Sequence, residues 1–329
     1  MISLEDNSLV FSFPEVHEDA VCTIHFQRTL RVPDDNRTYP LPPGLGRFPL
    51  EHVEDHEKRL PEKWSEHGGV LLPMYQAEAM WICFGSPAKY PFAVKISAGK
   101  INAVTGDTWS NDLSASPQDY VVIPSQPWLD GFSVRKGLVR QFVAMPLGKG
   151  YTAEEQITDS AEFGGLQIIA YPMKKKRFEQ LANMKEVCDY HPTMEFCSCP
   201  IEMGLAPGGL MRQEIYSDNF GIEAWDTSIS SRCFAHILNS TQWRIATNRM
   251  PPDLPPTALD YTNAGLPWFE YYAENLVAFD GSTELAGLDS VAAKDVKTGD
   301  HSLPENDFVK PKTVTILGTQ INRVTDGKW

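Results

Sequence analysis

The chain has 329 residues, 42% hydrophobic and 22% charged, and this ordinary globular composition excludes a protein that is disordered throughout. Its 29 basic and 43 acidic residues give a formal net charge of −14, so neither nucleic acid nor a membrane surface is predicted as a partner. No apolar run approaches the roughly 18 residues of a membrane-spanning helix, and the acidic start does not resemble a signal peptide, so we expect a soluble cytoplasmic protein.

The first elements are predicted from alternation and from turn residues. Strands are expected at residues 9–13 and 20–32, where apolar and polar side chains alternate. A loop rich in Pro and Gly follows at residues 33–49. Short helices are expected at residues 50–59 and from Pro61 onwards, because acids cluster there and Pro is tolerated in a first helical turn.

Residues 70–171 have the spacing of an antiparallel β meander, with short apolar runs separated by Gly, Pro, Asn and Asp. A tight hairpin is predicted at Gly99, since glycine readily takes the positive φ of such turns. Thr152 and Glu155 have the spacing of a capping box, which predicts a short helix between two strands.

One sequence unit occurs twice. Residues 137–141 (Gly-Leu-Val-Arg-Gln) recur as residues 209–213 (Gly-Leu-Met-Arg-Gln), and each copy precedes a second strand-like run, at 166–171 and 233–238. The predicted fold class is therefore mainly β (α+β). It is an antiparallel β-sandwich, or two apposed sheets, built from an imperfect internal repeat with short helical decorations. We expect the two copies to enclose a cleft.

The predicted organisation has three parts. Residues 1–172 form a first β unit with the amino-terminal strands and the Pro-rich loop, and residues 173–208 form a connector. Residues 209–329 form a second β unit with carboxyl-terminal helices and a final strand at 313–317. One of those helices is predicted to begin at Pro267.

The connector carries four soft metal ligands, Cys188, His191, Cys197 and Cys199. Zinc accepts such a set tetrahedrally, but the spacing matches no standard zinc finger. Unliganded thiols are therefore the favoured interpretation, and no cofactor is predicted unless zinc binds here.

Two Arg-Gln pairs, Arg140-Gln141 and Arg212-Gln213, place a guanidinium and an amide on opposite faces of their strands. Two inward-facing arginines could clamp a carboxylate or phosphate. The simpler interpretation is that each arginine pairs with a local acid.

Four further residues are candidates for a site. Glu78 stands among apolar residues and would have a raised pKa if buried, so it is a candidate acid or base together with His236. Trp128 and Trp225 are candidates for the wall of a cleft. For Glu78 the alternative is an outward-facing strand position, and for the tryptophans it is the core.

The segments 26–31, 39–46, 73–76 and 126–131 (Gln-Pro-Trp-Leu-Asp-Gly) resemble a family of bacterial and fungal proteins of similar length that has no established activity. The resemblance extends through most of the chain. It implies a full-length family and no particular chemistry.

Two functions stay open. The first is a small-molecule binding or assembly protein with an aromatic-lined cleft, whose partner is a small molecule or a second copy of the chain. The alternative is an enzyme that acts on a small anionic or polar substrate between the two β units, with an arginine clamp and a Glu/His acid–base pair. The common nucleotide-binding and hydrolase motifs do not occur in the sequence.

Overall fold

The structure is a computed structural model that describes residues 1–182, 203–272, 276–301 and 303–318. With 37% strand and 18% helix it is mainly β, and most strand pairs are antiparallel, so the predicted fold class is confirmed.

The described strands are β1 Ile2–Glu5, β2 Ser8–Ser12, β3 Val21–Thr29, β4 Thr38–Tyr39, β5 Gly44–Arg47, β6 Glu51–His52, β7 Val70–Pro73, β8 Ala79–Gly85, β9 Phe92–Ala98, β10 Ile101–Asn102, β11 Val121–Ile123, β12 Trp128–Leu129, β13 Gly131–Arg135, β14 Leu138–Pro146, β15 Leu166–Pro172, β16 Met203–Arg212, β17 Ser231–Leu238, β18 Trp268–Tyr272 and β19 Val314–Gly318. The described α-helices are α1 Glu62–His67, α2 Ala153–Thr158, α3 Lys175–Ala182, α4 Ser240–Thr247, α5 Ala258–Asn263, α6 Thr283–Ala286 and α7 Val291–Thr298. Short 3-10 turns lie at Glu57–Arg59, Ile222–Ala224 and Pro304–Asn306.

Strand pairing divides the main sheet into two layers. The first layer has the order β1, β2, β3, β8, β14 and β16, all antiparallel. At its margins β5 pairs with β3, β12 with β8, β13 with β14, and β4 runs parallel to β16.

The second layer is centred on β15. Strand β15 lies between β9 and β17, β9 continues to β10 and β11, and β17 continues to β7 and β6. One pair, Met203 with Ile237, joins the two layers through β16 and β17. A separate small sheet consists of the parallel strands β18 and β19.

The two layers share one hydrophobic core. Along β3, Ile24 and Phe26 are fully buried, as their alternation in the sequence predicts. They belong to the same apolar cluster as Ile168 of β15 in the second layer. Phe13, just after β2, approaches Phe92 of β9 with ring centroids 5.8 Å apart. The layers therefore pack face to face as a sandwich.

The strands that carry the repeated motif are neighbours. Residues Leu138, Val139 and Arg140 pair with Arg212, Met211 and Leu210 in turn, so the pairing is centred on Val139 and Met211. Strands β15 and β17 also pair with each other. The two copies therefore lie side by side, with their strands hydrogen-bonded to each other. No cleft separates the paired strands, contrary to the prediction.

Several local predictions are confirmed. Gly99 and Lys100 form the two-residue turn between β9 and β10, with φ values of 55° and 61°. Thr152 caps α2 in a capping box with Glu155. The short helix predicted from Pro61 onwards is α1, which has Pro61 as its N-cap and ends at Gly68.

Other local predictions are wrong. The helix predicted at Pro267 is strand β18, because its aromatic residues pair in parallel with β19. Residues 50–59 form β6 and a 3-10 turn instead of an α-helix, since β6 pairs with β7.

The predicted boundaries are only partly visible. Strand β16 begins at Met203, inside the predicted connector 173–208, and residues 183–202 of that connector lie outside the described residues. Strands from 1–172 and 209–329 pair with each other, so the two predicted units share one core. None of the helices that the structure describes has the length and apolar content needed to cross a bilayer.

Candidate functional site

A cavity of about 600 Å³, here called the acidic cavity, lies where four connecting segments meet at the margin of the sandwich. These segments are residues 104–107 after β10, 115–120 before β11, 217–222 after β16, and 279–284 at the start of α6. Its position on loops held by rigid strands is the usual place for a binding site.

The charged residues that line the acidic cavity all have the same sign. They are the carboxylates Asp107, Asp218, Asp280 and Glu284, and among the lining residues that the structure describes there is no Lys, Arg or His. Asp107, Asp280 and Glu284 are exposed at the rim, whereas Asp218 is half-buried. The field inside the cavity therefore favours a cation.

Asp218 is the carboxylate of the acidic cavity that accepts hydrogen bonds from both side chains and backbone. Its Oδ2 accepts hydrogen bonds from the Tyr120 hydroxyl at 2.7 Å and from Trp225 Nε1 at 2.9 Å. Its Oδ1 accepts from the backbone N–H groups of Phe220 at 2.7 Å and Gly221 at 3.2 Å. Four donors fix its orientation before any ligand arrives. Burial, together with the hydrogen bond to Asp218, raises the pKa of the Tyr120 hydroxyl, which therefore stays a donor.

Two glutamines hold the backbone that carries Asp218. Gln118 donates to the carbonyl of Tyr216 at 3.2 Å and accepts from the N–H of Asp218 at 2.8 Å. Gln126 donates to the carbonyl of Glu214 at 3.2 Å and accepts from the N–H of Tyr216 at 3.1 Å. Each amide thus occupies the position of a neighbouring strand and satisfies alternate backbone groups of residues 214–218.

The fourth wall is a strap at residues 277–284. The N–H of Phe279 donates to the carbonyl of Ile215 at 3.0 Å. Ser282 donates through its backbone N–H to the carbonyl of Ser133 at 2.9 Å and through its hydroxyl to the carbonyl of Thr105 at 2.5 Å. Gly281 is required here, because a Cβ at this position would lie 2.4 Å from the backbone nitrogen of residue 135. Hydrogen bonds at Phe279 and at Ser282 therefore fix the strap at two points along the cavity.

Trp225 lies behind the acidic cavity. It is 1% exposed and contacts Tyr120 edge-on, with ring centroids 6.3 Å apart. Its indole N–H holds Asp218, as described above. Trp225 therefore supports the site from the core and does not form its surface.

The first Arg-Gln pair is engaged by the protein itself. Gln141 is fully buried, donates to the carbonyl of Leu30 at 2.8 Å and accepts from the N–H of Val32 at 2.9 Å. Arg140 lies 3.6 Å from the carboxylate of the buried Asp34 and donates to a backbone carbonyl at 3.0 Å.

The second pair has the same arrangement. Gln213 donates to the carbonyl of Trp128 at 3.2 Å and accepts from the N–H of Asp130 at 2.9 Å. Arg212 pairs with Glu270 and is exposed. By the register of β14 and β16, the two arginines share a face of the sheet, and each lies beside its own carboxylate.

Trp128, Arg212 and Gln213 meet at a narrow crevice of about 10 Å³. Trp128 packs edge-on against Tyr271, with ring centroids 4.8 Å apart. The crevice has room for about one water molecule, so it does not accommodate a metabolite.

Glu78 forms a buried ion pair with Arg28. Glu78 Oε1 accepts from Arg28 Nε at 2.8 Å and from Arg28 Nη2, and Glu78 Oε2 accepts from the N–H of Tyr75 at 2.9 Å. Burial raises the pKa of Glu78 to about 7, while Arg28 opposes the rise. Glu78 is 3% exposed and Arg28 is fully buried, so the pair is inside the first layer.

His236 belongs to the second layer. It is 4% exposed, stacks on Trp64 with ring centroids 4.4 Å apart, and has Nε2 3.0 Å from the carbonyl of Gly68. Burial lowers the pKa of His236 to about 4, so the ring is neutral at physiological pH. His236 and Glu78 each have their own partners in different layers.

The predicted zinc ligands Cys188, His191, Cys197 and Cys199 lie outside the described residues. Within the described ranges, no three His, Cys, Asp or Glu side chains converge as a metal site would require.

The acidic cavity itself was not predicted from the sequence. Its carboxylates come from four separate loops, and nothing in their spacing brings them together. The one available signal was the Gln-Pro-Trp-Leu-Asp-Gly segment at 126–131, which contributes Gln126 and so positions the wall indirectly. Comparison of the chain with known protein families, curated proteins and solved structures gave no match.

Proposed function

We propose that this chain is a small-molecule binding protein whose ligand is an organic cation held in the acidic cavity. The observation that carries the proposal is the lining, in which every charged residue is a carboxylate. One of these carboxylates, Asp218, is fixed by four hydrogen bonds from within the protein. A fixed anion at the side of a cavity favours a cationic ligand at little cost in reorganisation.

The size and the apolar surface of the cavity support a ligand with an aromatic or aliphatic body. About 600 Å³ lies within the usual range of roughly 300–1,000 Å³ for ligand sites. Tyr120, Ile222 and Phe279 contribute apolar lining beside the carboxylates. An ammonium group near an aromatic face gains a further favourable interaction. A primary amine on a small ring or short chain matches this lining.

Binding is a better interpretation than catalysis. The lining residues within the described ranges include no His, Cys or Lys, so no hydroxyl of the lining has an imidazole or amine beside it in the lining to act as its base. The alternative of an enzyme with an arginine clamp and a Glu/His pair has less support, because Arg140, Arg212, Glu78 and His236 are all engaged by protein groups.

Matched ring compounds of different charge test the proposal. Benzylamine, benzyl alcohol and benzoate have similar size, and isothermal titration at low ionic strength should show binding of the amine only. The rim variant Asp280→Asn/Glu284→Gln should weaken amine binding by about two- to thirtyfold, since it removes two exposed charges that are each worth about 0.2–1 kcal/mol. Glu15→Gln, an exposed acid outside the lining, is the control and should leave binding unchanged.

Two results would overturn the proposal. One is equal binding of all three compounds, which would show that charge plays no part. The other is amine binding that the rim variant and the Glu15→Gln control affect alike, which would place the amine elsewhere.

We also propose an intracellular location and an internal repeat. Three described cysteines, Cys22, Cys83 and Cys233, are free thiols, as is usual in a reducing compartment. The repeat is supported by the pairing centred on Val139 and Met211. It is also supported by the two motif glutamines, each of which binds a carbonyl and the N–H two residues further along a neighbouring segment.

A further inference from the structure

A second cavity, also of about 600 Å³, lies along one face of α4 and the turn after it, at residues 240–251. We call it the arginine groove, because Arg244 and Arg249 line it and its described lining includes no acid. In a chain with a net charge of −14 such a surface is a local exception. Its charge is opposite to that of the acidic cavity.

The first turn of α4 leaves hydrogen-bond donors without partners. Ser240 lines the groove, is 1% exposed, and its hydroxyl has no partner among the described residues. Asn239 caps the helix through Oδ1, which accepts from the N–H of Gln242 at 2.7 Å, while its Nδ2 has no described partner. The indole N–H of Trp243 also has no described partner, but Trp243 packs in the core and does not line the groove. Buried polar groups are normally satisfied, so the open hydroxyl of Ser240, which lines the groove, indicates a hydrogen-bond partner there.

Two further features indicate what that acceptor is. The amino-terminal end of a helix carries partial positive charge from its backbone N–H groups, and anions bind there. Arg249 is held by an ion pair with Glu51, whereas Arg244 is exposed on the groove face of α4. Ile245 and Met250 also line the groove and are 56% and 75% exposed, so an apolar surface adjoins the donors.

We propose that the arginine groove binds a phosphate monoester that carries a short apolar group. The phosphate oxygens accept from Ser240 and from the first turn of α4, Arg244 supplies the opposite charge, and the apolar group covers Ile245 and Met250. This site is separate from the acidic cavity and does not depend on the function proposed there.

The test uses the full chain with inorganic phosphate and hexyl phosphate as probes, followed by ³¹P NMR line broadening and titration calorimetry. Both probes should bind, and hexyl phosphate should bind more tightly. Arg244→Gln should weaken hexyl phosphate binding about tenfold, the size of one charge-assisted hydrogen bond. Ser240→Ala should weaken it less, and Arg232→Gln, an exposed arginine of β17 outside the groove, should leave it unchanged.

Vesicles that contain phosphatidic acid distinguish a lipid headgroup from a soluble ester as the source of the phosphate. Sedimentation of the protein with them, lost in Arg244→Gln, would assign the phosphate to a lipid headgroup. Hexyl phosphate binding without sedimentation would assign it to a soluble ester.

The proposal is overturned if neither probe binds at millimolar concentration, which would show that water alone satisfies the open donors. It is equally overturned if Arg244→Gln and Arg232→Gln bind hexyl phosphate alike. Benzylamine binding by Arg244→Gln should equal that of the unaltered chain, so failure at one cavity is distinguishable from failure at the other.

Discussion

Asp130 should make the stability of this protein depend on pH in an unusual direction. The residue is fully buried at the junction of β12 and β13. Its Oδ2 accepts from Trp128 Nε1 at 2.7 Å, and its Oδ1 has no described partner. Burial raises the pKa of Asp130 from 3.8 to about 7, and the hydrogen bond from Trp128 opposes the rise only in part. The folded protein therefore holds this proton in a range where the unfolded chain has lost it.

The sign follows from which state binds more protons. Between about pH 4 and pH 7 the folded state holds the Asp130 proton and the unfolded state does not, so the free energy of unfolding falls as pH rises. The full effect is about 4 kcal/mol, from roughly three pKa units at 1.36 kcal/mol each. From pH 5 to pH 8, about 3 kcal/mol of that loss is accessible to measurement.

The variant Asp130→Asn removes this titration and keeps an oxygen that accepts from Trp128. Urea unfolding followed by tryptophan fluorescence at pH 5, 6, 7 and 8 gives the free energy of unfolding for both proteins. Relative to its own value at pH 5, the variant should be about 3 kcal/mol more stable than the unaltered chain at pH 8. All other titrating groups contribute equally to the two profiles, so the difference isolates Asp130.

Asp55→Asn is the control, because Asp55 is exposed, and its profile should run parallel to that of the unaltered chain. If Asp130→Asn also gave a parallel profile, Asp130 would be ionised in the folded protein at pH 5. That result would show that burial does not raise the pKa of Asp130.

Four further outcomes are expected. Arg28→Met should lower the free energy of unfolding by about 3–5 kcal/mol, because it leaves a buried carboxylate unpaired. Adding Glu78→Gln to this variant should restore at least half of the lost free energy. Urea titration measures both variants, and additive losses would contradict the pairing. Gln213→Leu should cost about 1–3 kcal/mol in the same assay, because two backbone groups lose their partners, and an unchanged midpoint would show that water replaces the amide. Gly131→Ala should destabilise the fold by about 1–3 kcal/mol or more, since the added Cβ would meet the backbone of the neighbouring strand, and calorimetric melting at an unchanged temperature would contradict this. The imidazole NMR signals of His236 should not shift between pH 5.5 and pH 8, because its pKa is lowered to about 4; a midpoint near 6.5 would show that the ring is not desolvated.

The β character of the chain could be predicted because it depends on patterns among residues that are close together in the sequence. Cys22, Ile24 and Phe26 alternate with polar residues and all face the core. Gly99 marks the turn between two strands that are adjacent in sequence. Such signals depend on neighbouring residues, which a single sequence contains in full.

Features that depend on distant partners could not be predicted. Residues 268–272 have a helix-like start at Pro267, and they form a strand only because β19, far along the chain, pairs with them. The side-by-side position of β14 and β16 likewise depends on register between remote segments. Propensity is a weak guide where tertiary pairing decides.

The candidate site shows the same limit more strongly. Charge and aromatic content could suggest a binding protein, but the carboxylates of the acidic cavity lie on four loops that meet only in the folded chain. The residues singled out by motif, Arg140, Gln141, Arg212 and Gln213, bind backbone and neighbouring acids instead. A repeated motif was a guide to architecture here, not to chemistry.

The amides of Gln118 and Gln126 bind residues 214–218 through main-chain atoms of that segment and not through its side chains. A side chain in this segment can therefore be replaced without loss of the hydrogen bonds that hold its backbone in place. Ligand preference is consequently adjustable without rebuilding the scaffold: a Ser217→Glu or Ser217→Lys exchange would present a new charge to the cavity from an anchored backbone. The same property makes this wall a convenient place to engineer a sensor.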